Sequence, residues 1–249
     1  MAEIAQTGSA EPGLLTAVGV GPGDPELLTL KGVRVLKDAD VILTPVGDRS
    51  DSSIALSIVE AHIDRSRQEV LTRVFPMRQP AAEMAAAWQD IAAEIAELVR
   101  QGKRVAFVTL GDPMFYSTYL YLQDELQSAY PDVPIATVPG ISSILAAAGK
   151  SGVALGLGDD ILTVVPATLT DAQIGAAIDL AGTFVLLKVY RSFDRLRTLL
   201  QEAGLEKNAV YIKRLGLPGE KVIHDLANVA EDDLDYLSLV LVRREKMDV

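Results

Sequence analysis

At 249 residues, with 49% hydrophobic and 23% charged content, the chain is long enough for one large domain or two ordinary ones folded around packed cores. The absence of cysteine excludes disulfides and thiolate metal sites, and His62 and His224 lie too far apart in sequence to indicate a His-rich metal site. A net charge of −11 opposes binding to a nucleic-acid backbone, and no run of about 18 apolar residues is present to span a bilayer.

Residues 1–13 lack the basic start and apolar middle of a secretory signal and read as a flexible tail, so a cytoplasmic protein is expected. The apolar run 14–20 predicts a strand, and "GVGPGDPELLT" (19–29) then breaks it with glycines and prolines. Asp24 is placed to cap a helix with Pro25 at its first position, running on through 26–39. Strands are expected at 40–45 and 69–75, with a helix at 52–63 between them. Over 81–101, Met84, Trp88, Ile91, Ile95 and Leu98 recur at helical spacing and Gly102 supplies a stop, so Trp88 reads as core. A nearly continuous apolar strand at 104–110 is followed by "LGDPMFYST" and a helix over 114–129, then a strand at 135–139 and "PGISS".

Strand and helix therefore alternate through the first 140 residues, the pattern of a mostly parallel sheet with helices on both faces. Beyond that point, strands at 161–165, 183–189, 209–214, 220–226 and 237–243 enclose two helices, 171–181 and 192–203. The last three strands have no helix between them, which predicts a mixed sheet. The expected organisation is two α/β domains, 14–140 and 141–249.

Three irregular segments share one context, each following a strand and preceding a helix: "GVGPGDPE", "LGDPMFYST" and "PGISS". In parallel α/β sheets ligands bind at the carboxyl ends of strands. No phosphate-cradling G-x-x-x-x-G-K-[ST] is present, and "GVGPGD" lacks the third glycine of the dinucleotide fingerprint. The loops suit a ligand without phosphate, held by main-chain groups and the hydroxyls of Ser117, Thr118, Ser142 and Ser143. Spacing alone yields no catalytic triad or carboxylate pair.

"VGVGPGDPELLTLKG", "LGDPMFYSTYLYL", "VPGISSILAAAG" and "VLLKVY", in that order across residues 15–190, resemble the tetrapyrrole methylase family, whose members use S-adenosylmethionine. Within it, "GDPMFYSTYLYL" with "LLKVYRS" is most similar to the branch that methylates C-20 of precorrin-2 or cobalt-factor II in corrin assembly. The resemblance implies two α/β domains with the cofactor in the cleft between them, and a homodimer. It implies cofactor contacts at Pro22, Leu110, Gly111, Asp112, Phe115, Ser142, Ser143, Leu187 or Lys188, and Leu215. Many relatives carry methionine where this chain has Leu187–Lys188. It also puts Gly21, Gly23 and Asp24 on the substrate side of the first loop.

The reduced tetrapyrrole has an enamine-like meso carbon, so attack on a sulfonium methyl needs no strong base. A proton must leave afterwards, with Tyr116, Asp24 and Asp112 as candidates and water serving equally well. The substrate carboxylates need cations, for which Lys31, Arg78, Lys150, Lys188, Arg191 and Lys213 are available. Competing readings are another tetrapyrrole position, a diphthamide methyltransferase, or a non-catalytic nucleotide-binding module.

Overall fold

The computed structural model describes residues 13–47, 52–76, 81–180 and 182–244. The expected tail, apart from Gly13, and the candidate cation Arg78 lie outside them. The chain forms two compact units, one ending at Ile141 and the other beginning at Ser142.

In the first unit the elements are β1 (Leu14–Gly19), α1 (Leu30–Asp38), β2 (Val41–Val46), α2 (Ile54–Val59), β3 (Glu69–Val74), α3 (Ala81–Arg100), β4 (Arg104–Thr109), α4 (Tyr119–Ala129) and β5 (Ile135–Val138). All its pairings are parallel, in the order β3-β2-β4-β1-β5. Side chains alternate between the faces of a strand, and here both faces are covered. Leu15, Ala17, Leu43, Val105 and Phe107 pack against α3 and α4. Val18, Ile42, Ala106 and Val108 pack against α1 and α2. Trp88 is core as expected, edge-on to Phe75 at 4.8 Å between ring centroids. Gly102, at φ 83°, ends α3 by donating to the Val99 carbonyl while Lys103 donates to that of Leu98.

The second unit contains α5 (Ser143–Ser151), β6 (Leu162–Pro166), α6 (Asp171–Leu180), β7 (Thr183–Leu187), α7 (Phe193–Glu202), β8 (Ala209–Lys213), β9 (Lys221–Ile223) and β10 (Ser238–Arg243). Its sheet has the order β6-β7-β10-β8-β9 and is mixed. β6 and β7 are parallel, β10 runs antiparallel between β7 and β8, and β9 is antiparallel to β8. One face packs on α6 and α7 and the other on α5.

Several boundaries differ from the sequence reading. The helix expected from Asp24 is a 3-10 turn, Pro25–Leu27, capped by Asp24, and α1 starts afresh with Thr29 as its own cap. Asp24 accepts from the Glu26 amide at 2.9 Å and Thr29 from that of Gly32 at 3.0 Å, so two caps compete and the chain turns between them. The helix expected from 114 begins at Tyr119, because 112–118 is anchored as a loop. β7 and β8 stop at Leu187 and Lys213, since Lys188 (φ 60°) and Arg214 (φ 52°) turn left-handed. β9 ends at Ile223 rather than 226, where Asp225 caps a 3-10 turn, Leu226–Asn228.

Candidate functional site

β4, β1 and β5 are neighbours and parallel, so the segments that follow them leave from one rim of the first sheet. β1 leads towards α1 on one face, and β4 leads towards α4 on the other. Adjacent strands whose connections part to opposite faces make a switch point, where open α/β sheets place their ligands.

The glycines let three backbones meet there. Gly111 donates to the Gly21 carbonyl at 2.8 Å, and Gly21 donates back at 3.3 Å. A Cβ on Gly140 would lie 2.1 Å from the Gly111 oxygen, and one on Gly19 would lie 2.5 Å from the Gly140 nitrogen. Gly19 and Gly140 were not singled out from the sequence, although each sits in a quoted motif. Beside Gly111, at φ 71°, a Cβ would meet nothing within 4 Å. Gly19 and Gly140 thus serve close approach of chain to chain, and Gly111 leaves space beside its loop.

Pro22 and Gly23 are buried next to this junction, while Asp24 is half-buried. Leu110 packs against the α1–α2 side of the core. Asp112 joins two loops: Oδ1 accepts from the Met114 amide at 2.8 Å and Oδ2 from the Gly140 amide at 2.9 Å. Ser117 is buried, its hydroxyl 2.9 Å from that of Thr109 and accepting from the Tyr119 amide at 3.2 Å. Thr118 precedes α4 without a side-chain cap bond. Between these anchors Met114, Phe115 and Tyr116 are exposed, with Tyr116 at φ 51°. Lys31 is exposed in the first turn of α1.

In the second unit, Ser142 caps α5 by accepting from the Ile144 amide at 3.3 Å, and Ser143 is the first helical residue. Leu187 and Leu215 belong to the hydrophobic cluster under α5. Lys188 is exposed at the end of β7. Of the cation candidates, Lys150 pairs with Glu220 at 2.7 Å and Lys213 with Asp233 at 3.0 Å. Nearby, Arg195 pairs with Asp171 and Arg197 with Glu206. Among the described residues no three His, Asp or Glu side chains gather to hold a metal ion, and no helix is long and apolar enough to cross a membrane.

The family model for tetrapyrrole (corrin/porphyrin) methylases matches residues 14–230. The chain belongs to the tetrapyrrole methylase family. Among similar proteins, the cobalt-precorrin-2 C(20)-methyltransferase of Salmonella typhimurium is 36% identical to this methylase over 94% of its chain and 97% of the relative's. The precorrin-2 C(20)-methyltransferase of a Sinorhizobium species is 33% identical over 92% and 95%. Among solved structures, uroporphyrin-III C-methyl transferase from Thermus thermophilus, complexed with S-adenosyl homocysteine, matches with a TM-score of 0.64 at 25% identity, covering 93% of this methylase and 98% of that chain. A cobalt precorrin-4 methyltransferase shares the fold, with a TM-score of 0.70 at 22% identity over 92% and 94%.

Proposed function

We propose that this methylase transfers the methyl group of S-adenosylmethionine to C-20 of precorrin-2 or its cobalt-bearing counterpart, in cobalamin biosynthesis. The observation that carries the reading is the end-to-end similarity to relatives named for that reaction, at 36% and 33% identity. The reading also takes the working form as a cytoplasmic homodimer, by analogy with the family.

S-adenosylmethionine supplies an electrophilic methyl on a sulfonium sulfur. The residues present suit such a molecule: the rim carries neutral main-chain groups and small side chains, with open space beside Gly111. Leu110, Gly111 and Phe115 would hold it from the β4 loop and Pro22 from the β1 loop; the family resemblance also assigns cofactor contacts to Ser142, Ser143, Leu187, Lys188 and Leu215. Leu187 and Leu215 place their side chains in the core, so they would act through their backbones. Ser117 and Thr118 support the loop from below. Asp112 acts as a brace, since both its carboxylate oxygens already accept amides.

Gly21 and Gly23 would face the tetrapyrrole, with Lys31 meeting its carboxylates. The rigid rim contributes alignment of carbon, methyl and sulfur, which in favourable systems lowers a barrier by roughly 7–11 kcal/mol. The nucleophile is the electron-rich meso carbon of the substrate. The departing proton passes to the Asp24 carboxylate or to water, directly or with the Tyr116 hydroxyl as a relay.

The test is anaerobic incubation with S-adenosylmethionine and either precorrin-2 or cobalt-factor II. Mass spectrometry should show one added methyl, and NMR with a labelled methyl should place it at C-20. A methyl on another carbon overturns the position assigned; no product from any tetrapyrrole overturns the enzymatic reading.

A further inference from the structure

We propose that Tyr116 contacts the substrate directly: its ring, backed by Phe115, forms the wall against which the flat face of the macrocycle stacks. The proposal rests on the reading of this protein as a tetrapyrrole methylase acting on a corrin precursor. It names the surface that would select so broad and conjugated a ligand.

Four observations converge. Tyr116 holds φ 51°, a conformation that costs a bulky L-residue strain and a glycine almost none. Such strain persists only where the surroundings impose it, and both flanks are pinned. On one side the Asp112 carboxylate holds the Met114 amide; on the other the Ser117 hydroxyl holds Thr109 and the Tyr119 amide. Three successive apolar side chains face outwards between these pins: Met114 is 51% exposed, Phe115 38% and Tyr116 50%. Finally, the Phe115 and Tyr116 rings meet edge to face, centroids 4.9 Å apart at 81°, so each limits the other's freedom.

A chain seeking only a stable turn would place glycine at 116. A strained aromatic there, on a loop leaving the central strand at the switch point, is explained by a ligand that uses its face. A planar tetrapyrrole offers a wide π surface with carboxylates only at its rim, so ring stacking binds the middle and leaves the anionic edge to cations. A second copy of this chain is the competing occupant, and the experiment separates the two.

Full-length wild type, Tyr116→Gly, Tyr116→Asn and Tyr116→Phe would be titrated with the tetrapyrrole in the presence of S-adenosylhomocysteine, following the visible absorption band so that no turnover occurs. Glycine and asparagine tolerate the left-handed backbone. Removing the ring should therefore raise or preserve the melting temperature while weakening tetrapyrrole binding about tenfold, equivalent to roughly 1.4 kcal/mol. Affinity for S-adenosylhomocysteine should change less than about twofold, a shift of under ~0.5 kcal/mol, and Tyr116→Phe should bind the tetrapyrrole like wild type. Unchanged tetrapyrrole affinity in both ring-deleted variants overturns the proposal. So does a lowered melting temperature with joint loss of both ligands, which marks a structural role, or a change in sedimentation coefficient, which puts the ring between copies. If wild type itself binds no tetrapyrrole, the functional reading falls, a result distinct from any of these.

Discussion

Asp112 shows how a residue that resembles a ligand contact does its work through the backbone. Its carboxylate spans from its own loop, at the Met114 amide, to the Gly140 amide beyond β5. Each bond is charge-assisted, and losing the one from Gly140 leaves a donor in a part-buried place, at about 1–3 kcal/mol. Asp112→Ala should therefore lower the melting temperature and also weaken S-adenosylhomocysteine, because Leu110, Gly111 and Phe115 lose their register. Asp112→Asn keeps one acceptor but turns an NH2 towards an amide donor, so it should fall between the two. Differential scanning calorimetry and titration calorimetry on the same samples check this. Unchanged affinity in the alanine variant would remove the β4 loop from the site. The sequence supplied the identity of this residue but not its partner, since Gly140 is 28 positions away and nothing in the spacing joins them.

At the scale of elements, the 3-10 turn Glu231–Asp233 is strapped to β8 and β9. The Tyr211 hydroxyl donates to the Asp233 carbonyl at 2.8 Å and accepts from the Asp235 amide at 3.2 Å. The Asp233 carboxylate meets Lys221 at 2.6 Å and Lys213 at 3.0 Å. The hydrogen bond from Lys221 first, then that from Lys213, lowers its pKa from 3.8 to about 2. Between those values the unfolded chain binds a proton that the folded one refuses, so stability rises with pH across the window and is lost as pH falls through it. Asp233→Asn should melt below wild type at neutral pH, with the gap closing as acid is added towards about pH 2. Melting curves across that range test it, and a gap that stays constant would show that the ion pairs contribute nothing through charge. The elements themselves were largely legible, because apolar runs and helical spacing follow from burial on two faces. The ends were less so: the stops at Lys188 and Arg214 are left-handed backbones on residues that rarely adopt them. The break after Asp24 depended on which of two good caps would begin the long helix.

For the whole molecule, the sequence located three loops at strand ends, but their meeting depends on the order β4-β1-β5, which no local pattern encodes. Likewise, the run of strands without helices indicated antiparallel pairing, while the insertion of β10 between β7 and β8 is a choice made by packing. Charge is legible only in total, and the total has a consequence for the proposed substrate. The chain carries −11, and a tetrapyrrole with several carboxylates is repelled from a distance. Local attraction has few sources, since Lys150, Lys213, Arg195 and Arg197 are committed to acidic partners. Lys31 and Arg191 stand outside any ion pair among the described residues. The screening length shortens from about 30 Å at ~0.01 M salt to about 8 Å at ~0.15 M. Long-range repulsion is thereby weakened more than contacts made at a few ångströms. The KM for the tetrapyrrole should accordingly fall as sodium chloride rises over that range. Binding of S-adenosylhomocysteine, which has no net charge at neutral pH, should stay flat. A KM that climbs steadily with salt would mean that cations at the site outweigh the charge of the molecule.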